Sequence, residues 1–338
     1  MRPLSVHGRG GVAAREPRNL WVQSESILSI SRVVSDLGRA ESFYRSALGF
    51  RRVSGGPVDP EVLAALGVAE RRANEVRMRI GEEDIVLVQF ESAGRDYPAG
   101  SRSDDLWFQH LAIVVSDMDA GYSRLRSRSG WEPISTDGPE TLPASSGAVR
   151  AFKFRDPDGH PLELLWLPPG RGRPEWHERA RAAPSDEPFI GIDHSALAVS
   201  STRRSLAFYR SLGLHIADRS VNGGPAQSRL DGVPAARLRV TGLRPASGAG
   251  PGLELLAYRP PGRERETAGA TDLSTDWTTL SGVMAGSAGG GASVSGTALA
   301  ESHAPAPALL KRIAALSDPD GHRFLVVSHG IGSLGRPA

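Results

Sequence analysis

Asp156-Pro157-Asp158-Gly159-His160 recurs as Asp318-Pro319-Asp320-Gly321-His322, and Phe43-Tyr44-Arg45 recurs as Phe208-Tyr209-Arg210. The spacings are 162 and 165 residues, so two separate words repeat at nearly one offset. Chance does not readily produce this in 338 residues, and the chain is read as a duplicated unit whose equivalent positions can be compared directly.

Outward from these words, each half divides again. Residues 27–34 form a β-branched run, followed by Asp36 where a helix N-cap belongs. Leu37, Ala40, Phe43, Tyr44, Ala47 and Leu48 then fall at helical spacing, and Gly49 closes the helix as a C′ residue. The apolar segment 84–90 predicts a buried strand that ends this first module. The order returns three times. A strand at 108–115 precedes a helix of Met118, Tyr122 and Leu125, and strands at 149–154 and 162–167 flank the first Asp-Pro-Asp-Gly turn. A strand at 192–199 precedes a helix with Leu206, Phe208, Tyr209 and Leu212, stopped by Gly213, and this module ends at 252–258. The fourth copy is degenerate: strands at 277–283, 311–316 and 324–327 surround a Gly/Ala/Ser-rich stretch, 285–307, where a helix should stand. His160 and His322 follow tight turns whose glycine supplies a positive φ, so a turn role is expected for both.

Composition narrows the function classes. With 39% hydrophobic residues the chain can bury a sizeable core, and its length favours two domains. The expected organisation is a flexible segment 1–24, a first domain 25–168 holding modules one and two, a linker 169–188 opened by Pro168-Pro169-Gly170, and a second domain 189–330 holding modules three and four. Forty Lys+Arg against 38 Asp+Glu leave a net charge of +2, which argues against a nucleic-acid partner. No apolar run suits a signal peptide or a membrane span, so the expectation is a cytoplasmic protein with no membrane partner. With no cysteine, any metal must be held by nitrogen and oxygen ligands.

The strand-helix-strand-strand-strand unit used four times resembles the vicinal oxygen chelate superfamily, which includes glyoxalase I, methylmalonyl-CoA epimerase, extradiol dioxygenases and the bleomycin-resistance proteins. The residues that carry the resemblance are Ile192-Asp193-His194-Ser195-Ala196-Leu197-Ala198-Val199 with Phe208-Tyr209-Arg210, and Asp156-Pro157-Asp158-Gly159-His160-Pro161-Leu162-Glu163-Leu164-Leu165. It implies an α+β fold of four βαβββ modules arranged as two tandem domains. It also implies a metal held from the first and last strands of paired modules, one histidine or glutamine and one glutamate from each.

Alignment of first strands equates Ser29, His110, His194 and Trp277, and alignment of last strands equates Leu87, Glu163, Glu254 and Leu325. Modules two and three therefore each carry a complete His/Glu pair, and modules one and four carry none. Pairing within each half would give two half-sites, whereas pairing module two with module three gives one site of His110, Glu163, His194 and Glu254. The second arrangement is favoured. Two imidazoles and two carboxylates suit a divalent Zn, Ni, Co, Fe or Mn ion with positions left for substrate oxygens.

The expected function is a metal-dependent isomerase, epimerase or lyase acting through a metal-stabilised enediolate on a small oxygenated substrate, with Glu163 or Glu254 as the base. An extradiol-type ring-cleaving dioxygenase is an alternative that would need ligands in the fourth module, where Trp277 and Leu325 stand. A non-catalytic small-molecule (drug) binding protein is another. Trp107 and Trp277 are candidate pocket residues, Phe108 could border the same cavity as Trp107, and Arg32 is either an anion contact or a snorkelling edge residue. The partner is a small molecule, and the oligomeric expectation is monomer or homodimer.

Overall fold

The structure, a computed structural model, describes residues 20–92, 94–264, 268–286, 299–301 and 311–329. Module one comprises β1 (Leu20–Val33), α1 (Leu37–Leu48), β2 (Arg51–Pro57), α2 (Pro60–Ala65), β3 (Ala73–Ile80) and β4 (Glu83–Phe90). Module two comprises β5 (Gln109–Val115), α3 (Met118–Arg126), the short β6 (Glu132–Pro133) and β7 (Glu140–Thr141), β8 (Arg150–Arg155) and β9 (Pro161–Trp166). After α4 (Pro174–Ala182), module three follows with β10 (Phe189–Ala198), α5 (Thr202–Ser211), β11 (Leu214–Gly223), α6 (Pro225–Asp231), β12 (Arg237–Pro245) and β13 (Gly252–Tyr258). Module four is β14 (Asp276–Gly286), β15 (Leu299–Glu301), β16 (Lys311–Ser317) and β17 (Arg323–His329).

Helices α1, α3 and α5 begin where short polar side chains satisfy free N–H groups. Asp36 accepts from the Arg39 amide, Asp117 from Ala120 and Ser201 from Arg204. Gly49 closes α1 at φ 74°. The short helices α2 and α6 escape a periodicity reading because neither spans enough turns to repeat; each has a proline in its first turn. The expected linker also holds structure, since α4 occupies its middle and buries Trp176. At the N-terminus, residues 20–24 were expected to be flexible, yet they open β1 because β14 offers a pairing partner from Leu20↔Gly286 onward. Residues 1–19 and most of 285–307 lie outside the described residues, which include β15 at 299–301.

Two mixed sheets result, and each draws on both halves of the chain. One runs β15-β16-β17-β14-β1-β4-β3-β2, joining modules four and one; the other runs β11-β12-β13-β10-β5-β9-β8-β6, joining modules three and two. Antiparallel pairing of β5 with β10 sets His110 opposite Ala196 and His194 opposite Ala112, a two-fold arrangement about the centre of the sheet. The inner faces of both sheets share one core with α1, α3 and α5, including Ile30, Leu87, Tyr44, Leu111, Ile113, Leu125, Leu197 and Tyr209. Their outer faces turn away from each other.

The duplicated turns tie module one to module two and module three to module four. Asp156 Oδ1 accepts from the Asp158 and His160 amides while its Oδ2 accepts from the Tyr44 hydroxyl at 2.9 Å. Asp318 repeats this with Asp320, His322 and Tyr209, the last at 2.8 Å. His160 and His322 each donate from Nε2 at 2.9 Å, to the carbonyls of Val33 and Ala198. Both histidines are thus turn braces.

Candidate metal centre

Glu163 stands opposite Ala112 in the parallel pair β5·β9, and Glu254 stands opposite Ala196 in β10·β13. Because His110 and Ala112 share a face, as do His194 and Ala196, all four candidate ligands project from the outer face of one sheet. His110, Glu163 and His194 each offer an atom within 4.8 Å of the others. His110 Nε2 donates to Glu163 Oε2 at 3.0 Å, and His194 Nε2 lies 3.9 Å from the same oxygen. Glu254 Oε2 approaches His194 Nε2 to 3.4 Å from the open side, with a quarter of its side chain exposed against 9% for Glu163. Two halves of the chain therefore supply one cluster. His194 Nε2 and His110 Nδ1 are buried without a hydrogen-bond partner, an arrangement that is costly for an imidazole unless another group completes it. With two imidazole nitrogens and a carboxylate oxygen converging, the donor set fits a divalent cation.

Surrounding groups orient these ligands. His194 Nδ1 donates to Asp193 Oδ2 at 3.0 Å, and Asp193 Oδ1 accepts from the Trp176 indole at 2.6 Å. The guanidinium groups of Arg173 and Arg179 both lie over the Trp176 ring, at 4.3 and 4.8 Å. The segment expected to be a plain linker thus reaches the candidate metal centre through one carboxylate. On the other side Lys153 stands opposite Glu163 in the β8·β9 pair, buried, with Nζ 2.7 Å from Asp231 Oδ1 at the end of α6. Gln227 donates to the other Asp231 oxygen at 2.8 Å. The matching position opposite Glu254 is Gly242, where an added Cβ would meet the Asp218 carboxylate at 2.6 Å.

This asymmetry separates the ionisations. Burial, with Lys153 adding to it, lowers the His110 pKa to about 4, so its imidazole is neutral. Burial opposes ionisation of Glu163, but His110 and Lys153 outweigh it and hold the carboxyl at about 2. Burial pushes Glu254 up; His194 offsets part of this, while Asp218, Asp193 and Glu163 add to it, leaving about 7. For His194, burial is outweighed by Glu254, the bond to Asp193 and Glu163, giving about 9 in the metal-free protein.

Of the candidate pocket residues, Phe108 borders the cluster, its ring 5.8 Å from His110 and 6.0 Å from Lys153 Nζ. Trp107 donates to Ser101 Oγ at 2.9 Å and lies under the Arg263 guanidinium at 4.7 Å. Trp277 is on the other sheet, inside an apolar cluster with Val86, Leu325, Ile313 and the α2 residue Leu63. Arg32 is neither an edge residue nor exposed: it is fully buried, donating to Tyr44 and to the Pro161 carbonyl, with Asp276 3.6 Å away. The alignment of last strands also needs one correction. Ser31 faces Val86 as Ala112 faces Glu163, so the module-one counterpart is Val86, and Leu87 points into the shared core. Residues 85–88 are apolar on both faces, so no alternation fixed the register there, and a shift of one reverses every side chain.

Sequence reading missed Lys153, Asp231, Asp193 and Trp176. Two signals were present: an aspartate beside His194 in an apolar strand, and one of only two lysines in an arginine-rich chain, set between Phe152 and Phe154.

A four-module α+β protein with a His/Glu cluster at the seam of two modules is the class that this fold and site define. Residues 26–164 match the family described as the Glyoxalase/Bleomycin resistance protein/Dioxygenase superfamily. Glyoxalase I from Zea mays has a similar fold, with a TM-score of 0.57 at 17% identity over 90% of this chain and 93% of that one. A variant of the same maize protein gives 0.59 at 18% identity, covering 90% and 94%. A candidate dioxygenase from Bacillus subtilis gives 0.52 at 13% identity, covering 92% and 87%. No curated protein matches this sequence. No helix among the described residues is long and apolar enough to cross a membrane.

Proposed function

We propose that the chain is a metal-dependent enzyme of isomerase, epimerase or lyase type, acting by proton transfer at a carbon beside a carbonyl of a small oxygenated substrate. The observation that carries this reading is the approach of His110, Glu163 and His194 to within 4.8 Å on one sheet face, with His194 Nε2 buried and unpartnered. When bound, a divalent Zn, Ni, Co, Fe or Mn ion supplies an electrophile for neighbouring substrate oxygens. His110 contributes a neutral nitrogen, Glu163 a permanent carboxylate, and His194 a nitrogen whose ring is turned by Asp193.

The two glutamates have separate roles. Glu163 is held ionised by His110 and Lys153 and makes a poor base. Glu254 is more open and sits near neutrality, so it can accept a proton from substrate carbon and return it. The extradiol alternative loses support because Trp277 and Leu325 lie in an apolar cluster.

The test combines metal analysis of the purified chain with deuterium exchange at the α-carbon of α-hydroxycarbonyl compounds. The expected result is one ion per chain, exchange and metal both lost in His110→Ala, and exchange lost with metal kept in Glu254→Gln. Purified protein holding a tightly bound organic molecule and no metal would refute the proposal and support sequestration instead.

A further inference from the structure

On the face of this sheet away from the metal ligands, a groove of about 820 Å³ runs between α5 and the rim of β11 and β12. Arg203 and Arg210 line it from the helix, Arg219 and Arg239 from the strands, and Leu206 and Val221 from between them. Val221 is 56% exposed, the largest exposure of any large hydrophobic side chain among the described residues. None of the four guanidinium groups has a carboxylate or hydrogen-bond partner among the described residues. Several arginines elsewhere pair with carboxylates, Arg79 with Asp84, Arg95 with Asp272, Arg229 with Glu140 and Arg263 with Asp105, while others such as the exposed Arg51 and Arg259 have no carboxylate partner among the described residues. What sets these four apart is that they line one groove.

The internal repeat supplies a control for what the fold requires. By the offset of the repeated helix words and the strand registers, the module-one counterparts of Arg203, Arg219 and Arg239 are Gly38, Gly55 and Asn74. Leu206 is replaced there by Glu41, which neutralises Arg52 at 2.6 Å. Only Arg45 keeps the charge, in the place of Arg210. The same module therefore folds without the cluster. Charged residues on an edge strand can serve to discourage sheet extension. That role accounts for Arg219 on edge strand β11, but not for Arg203 and Arg210 on a helix.

Four unpaired positive charges around one groove repel each other and attract a polyanion. Guanidinium forks match phosphate oxygens in pairs, the apolar strip suits a ring, and the volume falls in the range of small-molecule sites, roughly 300–1,000 Å³. We propose that this groove binds an organic polyphosphate of the nucleoside di- or triphosphate class, with phosphates on the arginines and the nucleoside against Leu206 and Val221. The site is separate from the metal centre. Arg239 lies between Leu238 and Val240, which face the outer cluster containing Ala196.

The test is calorimetric titration of the full chain with ADP at about 150 mM salt, where weak surface attraction is screened. Saturable 1:1 binding is expected. Arg203→Glu/Arg239→Glu should weaken it roughly tenfold or more. Arg51→Glu/Arg52→Glu on the opposite edge, and His110→Ala at the metal centre, should leave it unchanged. Absence of saturable binding overturns the proposal, as does equal weakening by the Arg51/Arg52 variant, which marks a general charge effect. Loss in His110→Ala alone puts ADP on the metal and overturns it as well.

Discussion

The two sheets share topology and register but treat their outer faces in opposite ways. In the sheet of modules two and three, the four equivalent positions are His110, Glu163, His194 and Glu254, and α6 sends Asp231 to Lys153 beside them. In the sheet of modules one and four, the same positions are Ser29, Val86, Trp277 and Leu325, and α2 packs Leu63 over them. One fold thus holds a polar, partly open centre and a filled apolar counterpart. The scaffold does not need these four polar residues, and their presence on one sheet alone marks the candidate site.

Exchanging the two chemistries should give the largest effects. Leu325→Glu inserts a charge into a packed apolar cluster and is expected to lower stability by about 3–5 kcal/mol or to prevent folding, read by denaturant titration. Glu254→Leu, at the matching point of the other sheet, should leave the midpoint within about 1 kcal/mol while abolishing proton exchange. Similar losses from both variants would erase the distinction.

Next in size is the buried pair that exists in one sheet only. Asp231→Ala leaves Lys153 uncompensated and should cost about 3–5 kcal/mol. Adding Lys153→Met should recover much of that, because the counterpart facing Leu325 is Ala315 and needs no charge. A double variant as unstable as Asp231→Ala would show that the lysine is not the burdened group.

Asp193→Asn should weaken metal affinity by about 10–100-fold with little change in stability, measured by competition with a chelator. Loading is also linked to protons. At pH 7.5 the metal-free His194, at about 9, carries a proton that an ion must displace. Affinity should therefore rise with pH and level off above about 9, with about one proton released per ion, detectable by calorimetry in buffers of different ionisation enthalpy. No change in heat between buffers would contradict this.

An effect of similar size concerns a feature both halves share. Tyr209→Phe removes one hydrogen bond to Asp318 and should cost about 1.5–3 kcal/mol at most. Tyr44→Phe should cost more, because Tyr44 also accepts from buried Arg32, which has no counterpart at Leu197.

Much of this was legible in the sequence for a local reason. The Asp-Pro-Asp-Gly-His words are self-contained turns in which one aspartate bonds two amides, so they survive as strings. The His/Glu pairs were legible because each histidine and each glutamate holds the same register position in a first and a last strand, although the separations differ, 53 residues in module two and 60 in module three. What was not legible depends on contacts between distant segments: Trp176 reaching Asp193, Asp231 reaching Lys153, and Arg32 buried against Pro161. Module one failed at one residue, Leu87, because a strand buried on both faces carries no alternation.

The central claim is that imidazoles from the two halves share one cation. Anomalous diffraction from crystals of the metal-loaded chain, collected at the edge of the bound element, tests it most directly. One peak within bonding distance of His110, His194 and Glu163, and none beside Ser29 and Trp277, is the predicted map. Peaks associated with either histidine separately, or no peak between them in a metal-containing crystal, would contradict it.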